Sequence, residues 1–402
     1  MSLTYKQLLR NQRVANAMDF ILQDADKTLE EQIKLCEIPA PTFEEEERAQ
    51  YYHKMMTQLG LDDVEIDEAG NVIGTLYGED NVEAPGVVTM AHLDTVFPRE
   101  TDVTVKRDEQ NGYLYAPGIS DNSRSLAAQL SVIRAFEASG IRPERGIVFC
   151  ANVCEEGLGD LRGSRYLMDR YPGAKYVVAI DGTGMGDSGI VYSGTGSKRY
   201  NITYQGPGGH SFGAFGNPSA IHAVGRAINS ISNLRVPEQP KTTYNVGLID
   251  GGTSVNTIAS QATMLVDMRS NGKDELDKLE RQVLDIVEQA RQQENRSTRS
   301  SSLKVEVKLV GDRPTAWQDS SNYIVRAAHD ATRAVGIRPK LKSAGSTDAN
   351  IPISKGVPAV CISGGGQGGN AHTLNEWFDP QNAHIGVQRC FLLLLKLAGM
   401  SD

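Results

Sequence analysis

The sequence has few cysteines, a deficit of positive charge and no long apolar run, and each shortage excludes a class of protein. Five cysteines among 402 residues do not form a disulfide framework. Cys150 and Cys154 would lie about 13 Å apart in one predicted strand, too far for a disulfide. No window approaches the roughly 18 apolar residues of a membrane span, and no signal-peptide pattern is present. We therefore expect a cytoplasmic protein that spans no membrane.

The balance of charge is acidic. Forty-one Lys and Arg against 50 Asp and Glu give a formal net charge of −9. This charge argues against a nucleic acid or an anionic membrane as partner. It suits a chain that gathers carboxylates around metal. A length of 402 residues exceeds one typical core, so two domains are expected.

Four apolar stretches alternate with helical patterns. The stretches are APGVVTMA, GIVFCANV, AKYVVAI and VPAVCIS. Nearly continuous apolar strands separated by helices predict a mostly parallel sheet covered by helices on both faces. The expected fold class is therefore α/β for this part of the chain.

A different pattern occupies residues 196–312. Half-exposed strands alternate with two amphipathic helices in the order βαββαβ, which is the ferredoxin-like unit. The apolar style returns afterwards. We therefore expect a large domain built from residues 1–195 and 313–402, with a small domain inserted between the two parts.

Polar side chains stand where the apolar strands end. The first strand ends at His92 and Asp94, the second at Glu155 and Glu156, and the third at Asp181. Two more candidates lie in loops, Asp121 in PGISDNS and His372 in the glycine-rich segment after VPAVCIS. Ligands bind outside the carboxyl ends of the strands in open α/β sheets, so these side chains should converge.

Imidazoles and carboxylates without cysteine suit divalent ions, zinc foremost and then manganese or cobalt. Two such ions carry +4, which three ligand carboxylates and a bridging hydroxide would balance. Two ions about 3.5–4 Å apart are a known hydrolytic arrangement. One of Glu155 and Glu156 would be left over as a general base.

Three other interpretations compete with the metal site. GHSFG matches a nucleophile-elbow motif, and Ser211, Asp348 and His372 follow in the order of a serine hydrolase triad. GMGDSG matches a dinucleotide-binding motif, but a strand-like segment follows where a helix is required. A metal-binding module without catalysis would not explain the spare glutamate.

With these residues identified, the chain from about residue 25 onward resembles the dinuclear-zinc M20 metallopeptidases. His92-Leu93-Asp94-Thr95 is similar to the first metal motif of the family, and Gly118-Ile119-Ser120-Asp121-Asn122 to the bridging-aspartate motif. Glu155-Glu156-Gly157 resembles the pair of base and ligand. The tail with GSTDAN and NAHTLNEWF resembles the tripeptidase (peptidase T-like) branch most.

The resemblance implies a metal-ligand set. Asp121 would bridge two divalent ions, most often Zn²⁺ with Co²⁺ or Mn²⁺ as alternatives. His92 and Asp181 would complete one site, and Glu156 and His372 the other.

The resemblance also implies roles around the metals. Glu155 would be the general base, and Asp94 would orient His92. His210 would stabilise the oxyanion, in dimeric members at the partner's site, while Asn256 and Arg269 would hold substrate. The resemblance implies that residues 1–195 and 313–402 form the catalytic domain and that residues 196–312 form a lid or dimerisation domain, through which a homodimer is expected.

The substrate is the broadest of these expectations. The resemblance implies amide-bond hydrolysis in short peptides, as in a tripeptidase or aminopeptidase. A carboxypeptidase or an N-acyl amino acid deacylase on the same dinuclear core is the alternative. Asn122-Ser123-Arg124 departs from the Asp-Lys-Gly that often follows the bridging aspartate, which leaves the subfamily open.

Overall fold

The computed structural model describes residues 3–80 and 84–400, with helices and strands numbered here along the chain. The helices are α1 Tyr5–Leu8, α2 Gln12–Gln23, α3 Ala25–Cys36, α4 Glu46–Gln58, α5 Ser123–Ser139, α6 Arg162–Arg170, α7 Ala220–Ser232, α8 Lys273–Ser297, α9 Tyr323–Ala334, α10 Asn350–Ser354 and α11 His384–Ala398. The strands are β1 Asp62–Ile66, β2 Val72–Leu76, β3 Val87–His92, β4 Lys106–Arg107, β5 Leu114–Tyr115, β6 Ile147–Asn152, β7 Tyr176–Ile180, β8 Gly189–Val191, β9 Gly196–Gln205, β10 Gly209–His210, β11 Thr242–Gly251, β12 Thr257–Ile258, β13 Gln261–Ser270, β14 Lys304–Arg313, β15 Lys340–Lys342, β16 Ala359–Ile362, β17 Gln367–Gly369 and β18 Trp377–Asp379.

The chain divides into two compact units. The large unit comprises Met1–Gly194 and Ala316–Asp402, and the small unit comprises Thr195–Thr315. The chain leaves the large unit and returns to it at one point, because Gly194 and Ala316 exchange two backbone hydrogen bonds of 2.6 and 3.0 Å. The small unit is thus an insertion in the sequence of the large one.

The large unit is built on one sheet with the strand order β1-β2-β6-β3-β7-β16-β8-β15. Its centre, β6-β3-β7-β16, is parallel, while β1, β2 and the β16-β8 pair are antiparallel. Every residue of β3 and of β6 is buried, as expected for strands covered on both faces. The predicted α/β class with a mostly parallel sheet is confirmed.

Helix α5 shows how completely the sheet is covered. It packs against α2, α3 and α11, and its residues from Ser123 to Phe136 are all buried. The helix begins directly after the loop that carries Asp121, so burial of the helix fixes where that loop ends. In the described part of the chain, no helix is both long enough and apolar enough to cross a membrane.

The small unit contains a four-stranded antiparallel sheet with the order β11-β13-β9-β14. Helices α7 and α8 pack on β13 and β9, around a separate core that includes Ile202, Met264 and Val283. With two helices interleaved as βαββαβ, this order is that of the ferredoxin-like unit. β10 and β12 form an additional two-stranded ladder.

A second, small sheet in the described part of the large unit was not expected from the sequence. Its order is β17-β18-β5-β4, and its strands are two or three residues long. Strands this short have no detectable alternation of polar and apolar residues. This sheet matters for the site because β5 precedes the Asp121 loop and β18 follows the His372 turn.

Candidate metal centre

The register of the parallel strands aligns the ends of β3, β6 and β7. His92 lies opposite Asn152 of β6, and Met90 lies opposite Ala179 of β7. Asp181 follows β7 directly, so its side chain emerges at the level of His92. Neighbouring strands are about 4.8 Å apart, which brings side chains at the same level within reach of one ligand.

Asp121 lies between two histidines. Its Oδ1 is 3.1 Å from Nε2 of His92, and its Oδ2 is 3.3 Å from Nε2 of His372. The same two histidines each face a second carboxylate. Nε2 of His92 is 3.7 Å from Asp181 Oδ1, and Nε2 of His372 is 2.8 Å from Glu156 Oε1. The five predicted ligands therefore form two triplets that share Asp121.

These separations, 2.8–3.7 Å, bracket those between ligands of a divalent ion. Donor atoms bound tetrahedrally at 2.0–2.2 Å from a zinc ion lie about 3.3–3.6 Å from one another. The tautomer of His92 fits as well, because Nδ1 lies 2.9 Å from the carbonyl oxygen of Asp94, which can only accept. Nδ1 therefore carries a proton, and Nε2 is the nitrogen that would present a lone pair to a bound ion.

Electrostatics favours positive charge at the same atoms. Burial by itself would lower the pKa of His92, but the surrounding carboxylates raise it well above its ordinary value. Hydrogen bonds to Asp121 and Glu156 raise the pKa of His372 to about 11. The site thus stabilises a positive charge between imidazole and carboxylate, which is a place that a divalent cation occupies by displacing protons.

Glu155 and Glu156 both reach this site because the chain turns before them. β6 ends at Asn152, and Cys154 adopts a left-handed conformation with φ of 58°, so strand alternation no longer applies. The backbone N–H groups of Glu155 and Glu156 donate to Oδ1 and Oδ2 of Asp94 at 2.9 and 3.0 Å. A carboxylate oxygen of Glu155 lies within 4.8 Å of ligand atoms of both His92 and Glu156.

Asp94 holds more than the sequence indicated. Its carboxylate is 3.6 Å from Nδ1 of His92, and its shorter contacts are the two amides just described and the hydroxyl of Thr42 at 2.9 Å. Asp94 therefore fixes the two glutamates as well as the imidazole. Thr42 was not singled out from the sequence, because a threonine near a proline carries no pattern of its own.

The serine triad finds no geometric basis in the large unit. The Nε2 atom of His372 faces Glu156 and Asp121, as described above. Asp348 is buried and accepts a hydrogen bond from Asn152 Nδ2 at 2.8 Å. The two residues that would assist Ser211 therefore have other partners. The GMGDSG segment contains a 3₁₀ helix, Thr183–Ser188, followed by strand β8, and does not open the α-helix that a dinucleotide site requires.

In the small unit, His210 and Asn256 lie on neighbouring segments. β10 pairs with β12, and Ser211 N donates to the carbonyl oxygen of Asn256 at 2.9 Å. Arg269 is elsewhere. From Gln261 to Arg269, strand β13 rises about 26 Å, and the Nε of Arg269 donates to Asp267 at 2.8 Å. His210 and Asn256 are thus together, and Arg269 is at the far end of the strand.

Comparison with known proteins agrees with this picture. The sequence profile of peptidase family M20/M25/M40 matches residues 88–396. An uncharacterised protein, YqjE, of Bacillus subtilis is 28% identical, with 87% of this chain and 92% of that protein covered. A succinyl-diaminopimelate desuccinylase of Nitrosospira multiformis is 26% identical over 81% of this chain and 86% of its own. The crystal structure of aminopeptidase PepT from Bacillus cereus shares the fold, with a TM-score of 0.73, 23% identity and coverage of 93% and 99% of the two chains.

Proposed function

The chain belongs to peptidase family M20/M25/M40, and on this premise we propose that it is a dinuclear zinc hydrolase of amide bonds in short peptides. Membership makes it a metal-dependent hydrolase that acts on peptide or amide bonds. The observation that carries the finer proposal is the pair of triplets that share Asp121. Cobalt and manganese accept the same nitrogen and oxygen ligands, so they are expected to substitute for zinc.

In this proposal, Asp121 would be a ligand of both ions. His92 and Asp181 would be the other protein ligands of one ion, and Glu156 and His372 those of the second ion. The chemistry that two bound divalent ions supply is polarisation of the scissile carbonyl and acidification of a water molecule. Proton movement is then left to the protein.

Glu155 is the proposed general base. Its side chain is buried beside the two triplets, and its backbone is held by Asp94. From this position the Glu155 carboxylate takes a proton from the attacking water and delivers it to the leaving amine nitrogen. A neighbouring ligand, Glu156, does not have this freedom because its Oε1 is committed to the metal.

His210 is proposed to donate a hydrogen bond to the oxyanion of the tetrahedral intermediate. Its Nδ1 accepts from the backbone N–H groups of Phe212 and Gly213 at 3.2 and 3.3 Å. Nδ1 is therefore the unprotonated nitrogen, and Nε2–H is available as a donor. Asn256, on the adjacent segment, is proposed to bind the same substrate, and Arg269 a substrate carboxylate.

We further propose a homodimer that pairs through the small unit. Strand β11 lies at an edge of its sheet, and Leu248 and Ile249 on it are 63% and 65% exposed. Natural proteins rarely leave a long apolar edge strand uncovered. In such a dimer, His210 of one copy would serve the metal centre of the other. The cysteines at positions 36, 150, 154, 361 and 390 are free and buried, which fits the proposed location in the cytoplasm.

A second candidate is deacylation of an N-acyl amino acid. It is favoured by the 26% identity to a succinyl-diaminopimelate desuccinylase over most of both chains. The amide bond and the metal chemistry are common to both reactions, so the two differ in the group that flanks the bond. Hydrolysis of free, N-acetylated and C-amidated tripeptides separates aminopeptidase, deacylase and carboxypeptidase activity.

Metal dependence tests the proposal. Dialysis against a chelator is expected to abolish hydrolysis of short peptides, and adding Zn²⁺, Co²⁺ or Mn²⁺ is expected to restore it, because the ions would supply both polarisation of the carbonyl and activation of water. A serine-directed fluorophosphonate is expected to have no effect and serves as the control. Full activity in protein shown to be free of metal would contradict the proposal and favour Ser211 as nucleophile.

A further inference from the structure

Glu376 is a buried carboxylate that no role discussed above employs. It is fully buried and accepts four hydrogen bonds from one loop. Its Oε1 accepts from the backbone N–H groups of Ser120 and Asp121 at 2.9 and 2.8 Å and from the hydroxyl of Ser120 at 2.8 Å, and its Oε2 accepts from the N–H of Gly118 at 2.9 Å. Burying a carboxylate is costly unless it is bonded in this way. The loop is therefore organised around this side chain.

The loop that Glu376 holds is the one that presents Asp121. Gly118 has φ of +80°, and a Cβ there would lie 2.9 Å from Thr95 Cγ2, so the loop follows a path that other residues do not adopt easily. The backbone nitrogen of Asp121 is itself one of the four donors. Fixing this nitrogen fixes the origin of the side chain whose two oxygens face His92 and His372.

Glu376 also belongs to the turn that presents His372. The N–H of Glu376 donates to the carbonyl of Thr373 at 3.2 Å, and that of Thr373 to Asn370 at 3.2 Å. His372 is 52% exposed, whereas His92 is 1% exposed and ends a buried strand. Position of the imidazole therefore depends on this turn rather than on packing.

We propose that Glu376 is a positioning residue that joins the Asp121 loop to the His372 turn and so sets the spacing at which both bind one metal ion. The ion held by Asp121, Glu156 and His372 depends on Glu376 more than the ion held by His92, Asp121 and Asp181. In the latter triplet, His92 and Asp181 are held by the ends of buried strands and do not need Glu376. This inference rests on the dinuclear site of the proposed function.

Zinc binding by the full-length protein tests it. Wild type, Glu376→Gln and a control, Glu31→Gln, are equilibrated over a series of buffered free zinc concentrations, and bound zinc per chain is measured by mass spectrometry of the metal. Glu31 is also a buried glutamate, but it bonds Arg134. We expect two ions in wild type and control. In Glu376→Gln we expect one ion to bind about 10–100-fold more weakly, as for loss of other residues that orient metal ligands, and the other to be unchanged.

Two further variants assign the weakened ion. Glu376→Gln added to His372→Ala should change the affinity of the remaining ion little, whereas added to Asp181→Ala it should leave both sites weak. Ser120→Ala removes one of the four bonds and should weaken the same ion by a smaller factor, which keeps the inference testable if Glu376→Gln does not fold.

The outcomes distinguish failure of the proposed role of Glu376 from failure of the proposed dinuclear site. Two ions bound to Glu376→Gln with wild-type affinity, or both weakened equally, would overturn the role of Glu376 while leaving the dinuclear site intact. Absence of bound metal from wild type would instead overturn the proposed function.

Discussion

Among single residues, Asp94 shows how the site is held from behind. One buried carboxylate bonds Thr42, the amides of Glu155 and Glu156, and approaches His92. Burial would raise the pKa of Asp94, but His92 and the two amides lower it, so the group is ionised at neutral pH. The Asp94 carboxylate thus interacts both with His92, a proposed metal ligand, and with the backbone of the segment that carries Glu155, the proposed base.

The neighbouring residues Glu155 and Glu156 are predicted to differ in whether their substitution affects metal binding. Glu155→Gln is expected to retain two metal ions per chain and to slow turnover by about 10²–10⁴-fold, because only proton transfer is lost. Glu156→Gln is expected to lose metal on dialysis, because Oε1 of Glu156 is proposed to bind the same ion as His372, from whose Nε2 it lies 2.8 Å. Metal analysis and steady-state kinetics on the same preparations check both. The opposite pattern, with metal lost from the Glu155 variant alone, would exchange the two roles.

At the scale of elements, a buried ion network holds α5 against the N-terminal helices. Arg134 of α5 bonds Asp24 at 2.6 Å and Glu31 of α3 at 2.7 Å, and all three are largely buried. Ser131 adds a hydrogen bond to Asp24 at 2.7 Å. The network therefore contributes to the stability of the large unit by holding α5 against α3 and the end of α2.

Arg134→Met is expected to lower the free energy of unfolding of the large unit by about 3–5 kcal/mol, since it leaves two carboxylates buried without their partner. Urea unfolding followed by tryptophan fluorescence measures this unit alone, because Trp317 and Trp377 both lie in it. Lys355→Met, which breaks an exposed pair with Asp169, is the control and should cost less than about 1 kcal/mol. Equal effects of the two variants would contradict the importance of burial.

The elements also explain how much the sequence predicted. His92 ends one buried apolar strand and Asp181 follows another, and parallel register brings strand ends together, so their convergence follows from pattern alone. Glu376 lies in a turn beside strands of three residues and reaches a loop more than 250 positions earlier. Contacts of this kind depend on the tertiary path of irregular segments, for which no periodic signal exists. Arg269 lies at the far end of β13 from the β10–β12 ladder that carries His210, and this position likewise could be read only from the structure.

For the whole molecule, the proposed dimer gives a prediction by complementation. Inactive His210→Ala and inactive Glu155→Ala, mixed in equal amounts and allowed to exchange subunits, should recover about a quarter of wild-type activity. About half of the dimers would then be heterodimers, and each heterodimer would have one intact site of two. Mixing Glu156→Ala with Glu155→Ala is the control and should recover nothing. Each change damages the metal centre of its own chain, so neither site of the heterodimer is intact. No recovery despite proven exchange would mean that His210 does not act across the dimer.

The reciprocal hydrogen bonds between Gly194 and Ala316 have a consequence for the history of the protein. A segment that departs and returns through a single paired junction can be acquired, replaced or deleted without altering the order of strands in the host. The catalytic sheet and the inserted unit are therefore free to diverge at different rates. In the proposed function, where His210, Asn256 and Arg269 bind substrate, substrate preference can then change within residues 195–315 without any change to the proposed metal ligands, which all lie in the other unit.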